Sequence, residues 1–96
     1  MASAKQQTDT RQLVIKTGVV NRLVKEVQSY KNEAHLLKQR ADKMEHDGED
    51  VYEVRQQRRV HADSVQMIPD SEKRLAKAVE ELEDLVVRSH RSPPRL

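Results

Sequence analysis

One pattern dominates what this chain can fold into: apolar residues recur with alternating three- and four-residue spacing along most of its length. Positions 13, 16, 20, 23, 27, 30, 34, 37, 41 and 44 read Leu13, Lys16, Val20, Leu23, Val27, Tyr30, Ala34, Leu37, Ala41 and Met44. Only Lys16 interrupts the apolar series. That spacing places all ten side chains on one stripe of a helix, because residues three and four apart share a helical face. Asp9 or Thr10 is suited to start the helix by accepting bonds from its first free N–H groups. The pattern predicts a helix over about residues 9–45, roughly 55 Å long at about 1.5 Å per residue.

The segment His46-Asp47-Gly48-Glu49-Asp50 breaks the pattern. Gly48 suits the left-handed conformation that ends helices. Asp50 with Glu53 has capping-box spacing for a second helix. The series resumes at Val51, Val54, Arg58, His61, Val65, Ile68, Glu72, Leu75, Val79, Leu82, Val86 and Ser89, and its phase survives Pro69. A reversing loop normally resets the phase. Residues 50–90 therefore read as one long helix, kinked or broken near Ile68-Pro69, with a sharp turn there as the alternative. Two helices of nearly equal length can lie antiparallel, which puts residue 26 opposite roughly residue 69.

The expected fold is all-α: an elongated antiparallel helical bundle with a long first helix and a second one kinked or broken at Pro69. Residues 1–8 are assigned to a disordered N-terminal tail, 9–90 to the helical domain and 91–96 to a disordered C-terminal tail. Val19, Val24, Leu36, Val60, Met67 and Leu85 fall off the main stripe. They call for a further packing surface, from a third helix or a second copy of the chain, so a homodimer is one expected assembly. Charged side chains at i, i+4 are expected to pair within helices: Asp70–Arg74, Asp84–Arg88, Arg22–Glu26, Lys38–Asp42, Arg59–Asp63 and Lys77–Glu81.

Composition excludes most chemistry. With no cysteine there are no disulfides or thiolate metal sites. Two isolated glycines cannot build a phosphate-cradling loop. His35, His46, His61 and His90 are too scattered for a zinc site. His61, Asp63 and Ser64 are close in sequence, but i and i+2 do not face each other on a helix, so they form no triad. The acidic turn Asp47-Gly48-Glu49-Asp50 lacks the alternating oxygen ligands of a calcium loop. The reading is of a binding protein and not an enzyme, with no cofactor and no metal. Basic residues alternate with acidic ones without an aromatic platform, which argues against nucleic acid. No apolar run is long enough to span a membrane. Residues 1–45 carry nine Lys and Arg against five Asp and Glu, a basic surface that can steer an acidic partner.

Two stretches take the reading further. Lys16-Thr17-Gly18-Val19-Val20-Asn21-Arg22-Leu23-Val24-Lys25-Glu26 closely resembles the start of the tubulin-specific chaperone A (tubulin-folding cofactor A) family. Met67-Ile68-Pro69-Asp70, followed by Lys73-Arg74-Leu75, resembles that family's Met-Ile-Pro-Asp segment. Tyr30, the Asp47-Gly48 turn, Tyr52 and Gln56-Gln57 also fall where the family pattern has them, so the resemblance covers about residues 12–85. It implies a three-helix-bundle fold with a proline break in the middle helix. It also implies a cytoplasmic, cytoskeleton-associated chaperone of the post-chaperonin tubulin folding pathway. Such a protein holds β-tubulin after chaperonin release, ahead of αβ heterodimer assembly by other tubulin-folding cofactors. The sequence departs from the family after Leu75–Val87, where relatives continue into another helix and this chain reads Arg-Ser-Pro-Pro-Arg-Leu.

The charged residues that match the family and lack an obvious core role are the candidate tubulin-binding set: Lys16, Arg22, Lys25, Glu26, Lys73 and Arg74. Intrahelical pairing of Arg22–Glu26 and Asp70–Arg74 is the competing explanation for three of them. A structural coiled-coil adaptor or homodimerisation module is the alternative function. An RNA-binding hairpin is a third, and it predicts steep salt dependence.

Overall fold

A computed structural model describes residues 4–90 of the chain. Two helices account for nearly all of it: α1, Ala4–His46, and α2, Val51–His90. They pack antiparallel as a hairpin with principal extents of 76 × 23 × 14 Å. A compact protein of this mass exposes about 5,700 Å²; this one exposes 8026 Å². The excess follows from having one helix–helix seam and no enclosed interior.

α1 begins at Ala4, ahead of the cap expected at Asp9 or Thr10. Residues 4–8, assigned above to a disordered tail, are helical. The run Ala4-Lys5-Gln6-Gln7 consists of strong helix formers, and their propensity outweighs the capping signal downstream. Residues 91–96, the expected C-terminal tail, lie outside the described residues. All ten stripe positions of α1 are buried or half-buried, with Leu23, Val27, Ala34 and Ala41 at its core.

The turn is built as its sequence suggests. Gly48 has φ of +71°. Its N–H reaches the Glu45 carbonyl at 3.1 Å, and Glu49 N–H reaches the Met44 carbonyl at 3.1 Å. This is a Schellman ending, which satisfies the last carbonyls of α1 and needs a left-handed residue at its centre. Asp50 then caps α2, its Oδ1 accepting from the Tyr52 N–H at 2.7 Å. Val54 N–H follows with the first helical bond, to the Asp50 carbonyl at 3.0 Å. Among the described residues, Glu53 supplies no return bond, so only half of the capping box forms.

α2 runs unbroken through Pro69, which excludes the reversing turn. Its inward line differs from the expected one. Val54, Arg58, His61, Ile68, Leu75, Val79, Leu82 and Ser89 do face inward, but Val51, Val65, Glu72 and Val86 are exposed. Gln57, Ser64, Ser71, Ala78 and Leu85 complete the seam with the same heptad spacing. Leu85, placed off the stripe above, is among the most buried residues of the protein. The reason is steric. Ser71 is completely buried, and small residues let two backbones approach closely. A valine or glutamate at that line would hold the helices apart.

Ion pairs flank the seam. Lys16–Glu81 (3.5 Å), Lys31–Glu72 (3.2 Å), Arg58–Asp42 (2.7 Å), Arg58–Glu45 and Arg74–Glu26 (3.2 Å) all join α1 to α2. None is one of the i, i+4 pairs expected from sequence. Charges bordering a two-helix seam find closer partners across it than along their own helix. The pairs also set the register. Glu26 meets Arg74, about a turn beyond the residue-69 position expected from helix lengths alone.

Near the turn, the hydrogen bond from Arg58 holds the Asp42 carboxyl below its ordinary range. Bonds to Asp42 and Glu45 raise the Arg58 guanidinium. Asp42 therefore has a lower pKa folded than unfolded, so the unfolded chain takes up the proton first as pH falls. The contribution of this pair is complete above the ordinary carboxylate range and disappears as pH drops through the depressed folded value. In Arg58→Ala the Asp42 pKa should rise toward that of an isolated aspartate, which a carboxyl-carbon NMR titration measures directly. An unchanged titration would show that Arg58 is not the cause.

Candidate functional site

Apart from the turn, the hairpin presents two long sides, one on each flank of the seam. The Glu26–Arg74 contact marks the first. Arg74 Nη2 donates to Glu26 Oε1 at 3.2 Å, and the Tyr30 hydroxyl donates to the same oxygen at 3.3 Å. Glu26 is half-buried. One carboxylate oxygen thus ties a tyrosine, an arginine and both helices together, with the guanidinium held toward solvent.

Apolar side chains border this network. Val60, Met67, Arg74 and Glu81 stand one heptad apart, so they form one column along α2. On α1, Ile15, Arg22 and Leu36 share a column in the same way. Leu36 is 63% exposed and Met67 44%; Val60 and Ile15 are exposed too. The first side therefore alternates fixed charges with uncovered aliphatic surface. Scattered exposed apolar residues need no explanation, but two adjacent columns of them beside an ordered ionic network suit an interaction face.

The sequence-predicted residues divide across this geometry. Glu26 and Arg74 are in direct contact, through the helix–helix seam and not within either helix. Lys16 is half-buried at the seam and paired with Glu81, which explains how a lysine interrupts the apolar stripe without leaving a buried charge uncompensated. Arg22 is exposed in the column beside Glu26. Lys25 and Lys73 are exposed on the outermost lines of α1 and α2, directed away from the seam. Four of the six thus belong to one side and two flank it. The part of Tyr30 is not visible in sequence, where it reads only as a stripe residue. Its hydroxyl reaches Glu26 one turn back, a spacing that tyrosine and glutamate on one helix allow but do not require.

Among the described residues no group of three or more His, Asp or Glu is placed to hold a metal ion, and no helix is long and apolar enough to cross a membrane. Residues 8–94 match the family described as Tubulin binding cofactor A. The chain belongs to that family. Human tubulin-specific chaperone A is 38% identical over 76 residues, covering 79% of this chain and 70% of the human protein. Tubulin-folding cofactor A from Arabidopsis thaliana is 40% identical over 72 residues, covering 75% of this chain and 64% of the plant protein. The crystal structure of tubulin folding cofactor A from Arabidopsis thaliana superposes with a TM-score of 0.85 at 33% identity, over 92% of this chain and 85% of that one. The family is one of chaperone cofactors and not of enzymes. The segments that carry the sequence resemblance, Lys16–Glu26 and Met67–Leu75, are the two that the Glu26–Arg74 contact joins.

Proposed function

We propose that this protein is a tubulin-folding cofactor that captures β-tubulin after its release from the chaperonin. It holds β-tubulin until other cofactors assemble the αβ heterodimer. Membership of the tubulin binding cofactor A family, over nearly the whole chain, is the observation that carries this reading. The protein acts by binding alone, without catalysis or a cofactor, in the cytoplasm alongside the cytoskeleton. Its contact with tubulin is the side centred on Glu26 and Arg74. Arg22, Lys25 and Lys73 supply peripheral positive charge, Lys16 fixes the adjoining seam, and Leu36 and Met67 supply apolar area. A rod with a rigid mixed face suits a holding chaperone, since it covers a folded surface without needing to enclose an unfolded chain.

The test is charge reversal of Arg22, Lys25 and Arg74 together, with β-tubulin capture measured at several salt concentrations. Exposed charges contribute little to folding, so the helical signal should persist with a loss of about 1 kcal/mol from the broken Glu26 pair. Capture should weaken by about tenfold or more, and wild-type capture should itself weaken with salt. A folded triple variant that captures β-tubulin as well as wild type would remove this side from the reading.

A further inference from the structure

The back of α1, turned away from the seam, carries a glycine with no role inside the hairpin. Gly18 is helical and exposed. Its backbone is not left-handed; among the described residues only Gly48 is. A Cβ added at Gly18 would meet nothing within 4 Å. Glycine weakens a helix relative to alanine, because it loses more freedom on folding. Neither backbone geometry nor packing within the chain offsets that loss. The remaining use of a glycine on an exposed helical face is to let another molecule come close to the backbone.

The residues around Gly18 indicate what comes close. Arg11, Val14, Ile15, Arg22 and Lys25 share its face of α1, at the three- and four-residue spacing of one helical side. Val14 is 69% exposed, the most of any large aliphatic side chain among the described residues, and Ile15 is 50% exposed. A shallow apolar hollow lined by Gln7, Thr10, Arg11, Val14 and Ile15 opens on the same face. Between Asp9 and Glu26 the chain has no acidic residue. Lys16, within that stretch, is paired with Glu81 across the seam. Among the described residues, Arg11, Arg22 and Lys25 have no ion-pair partner.

We infer that an acidic helix of the captured β-tubulin crosses the back of α1 at Gly18, an inference that rests on the capture reading above. The missing side chain leaves a notch between Val14 and Ile15 on one side and Arg22 on the other. Arg11 and Lys25 stand about 21 Å apart at about 1.5 Å per residue, and a helix with its side chains is about 10–12 Å across. A crossing helix therefore fits between them, with Val14 and Ile15 under it. Carboxylates on its two flanks are met by Arg11 from one direction and by Arg22 and Lys25 from the other. A neutral or basic helix would leave the three cations crowded against it without partners. Ile15 and Arg22 also stand in the column beside Glu26, so the contact continues from the Glu26–Arg74 side onto the back of α1.

β-Tubulin capture by Gly18→Ala and Gly18→Leu, beside a thermal melt of each, tests the crossing. Both should melt higher than wild type, alanine by about 4–8 °C, because each forms helix better than glycine and the position is exposed. Capture should nevertheless weaken, by about tenfold with alanine and further with leucine. A glycine of merely structural importance would not combine a gain in stability with a loss of binding. Arg11→Glu changes a residue outside the Glu26–Arg74 side. It should weaken capture by about tenfold at low salt and leave the helical signal unchanged. Asn32→Leu, two heptads along the same line and beyond Lys25, should capture like wild type. If wild type captures β-tubulin and Gly18→Leu or Arg11→Glu captures it equally well, the crossing is overturned while the capture reading stands. Equal losses in Asn32→Leu and Gly18→Leu would overturn it too. Failure of wild type to capture β-tubulin at all would overturn both.

Discussion

Leu23→Asp should leave little folded protein at 25 °C. Leu23 is 8% exposed, in the middle of the one seam that holds the helices together. Losing its burial alone costs about 1.5–3 kcal/mol. The carboxylate costs more still, because a charge taken out of water without a partner is strongly unfavourable. The ion pairs that flank the seam have their own partners, and the nearest on this helix are Lys16–Glu81 and Glu26–Arg74. A single-domain protein has about 5–15 kcal/mol of stability to lose. A hairpin with five buried apolar residues among those described belongs at the low end of that range. Far-UV circular dichroism should therefore show most of the helical signal gone. Val24→Asp is the matching control. Its side chain is half exposed on the next position, so the same charge stays hydrated and the change should cost about 1 kcal/mol or less. Equal melting of the two variants would mean that the buried face of α1 is not the one described.

Ser71→Leu should destabilise by about 1–3 kcal/mol, from overpacking at a fully buried position of the seam. In a domain of this size that is a fall of roughly 4–24 °C in Tm. Ser71 is fully buried, and its hydroxyl donates to the Ile68 carbonyl at 2.9 Å. Leucine removes that bond and needs room the seam does not have. Ser71→Ala separates the two effects. It adds no bulk, loses the hydrogen bond and gains helix propensity, so it should melt within a few degrees of wild type. If leucine were instead tolerated or stabilising, Ser71 would not lie in the packed seam, and the seam of α2 would follow the line of larger residues through Val65 and Glu72.

The candidate side was legible in part for a related reason. Lys16, Glu26 and Arg74 stand out in sequence because they sit in the two family-like segments. Nothing local says that Glu26 and Arg74 touch. The spacing of Arg74 from Asp70, and of Glu26 from Arg22, points to intrahelical pairs. The cross-seam pairs won because packing had already brought their partners within reach, and a helix on its own has no such partners.

By itself, the sequence determined two helices, their amphipathic α1 stripe, the Gly48–Asp50 turn and the continuity of phase past Pro69. Each of these is a local matter of periodicity, left-handed backbone and capping. The start of α1 at Ala4 also has a local cause, helix propensity, which the cap at Asp9 or Thr10 obscured. What the tertiary structure alone decided was the face of α2 and the register. α2 carries apolar residues on two adjacent lines, one through Ser64, Ser71 and Leu85 and one through Val65, Glu72 and Val86. Hydrophobicity favours the second line and is outweighed. Buried area grows with the closeness of the helices along their whole length, and only the line with small residues near its middle allows that closeness.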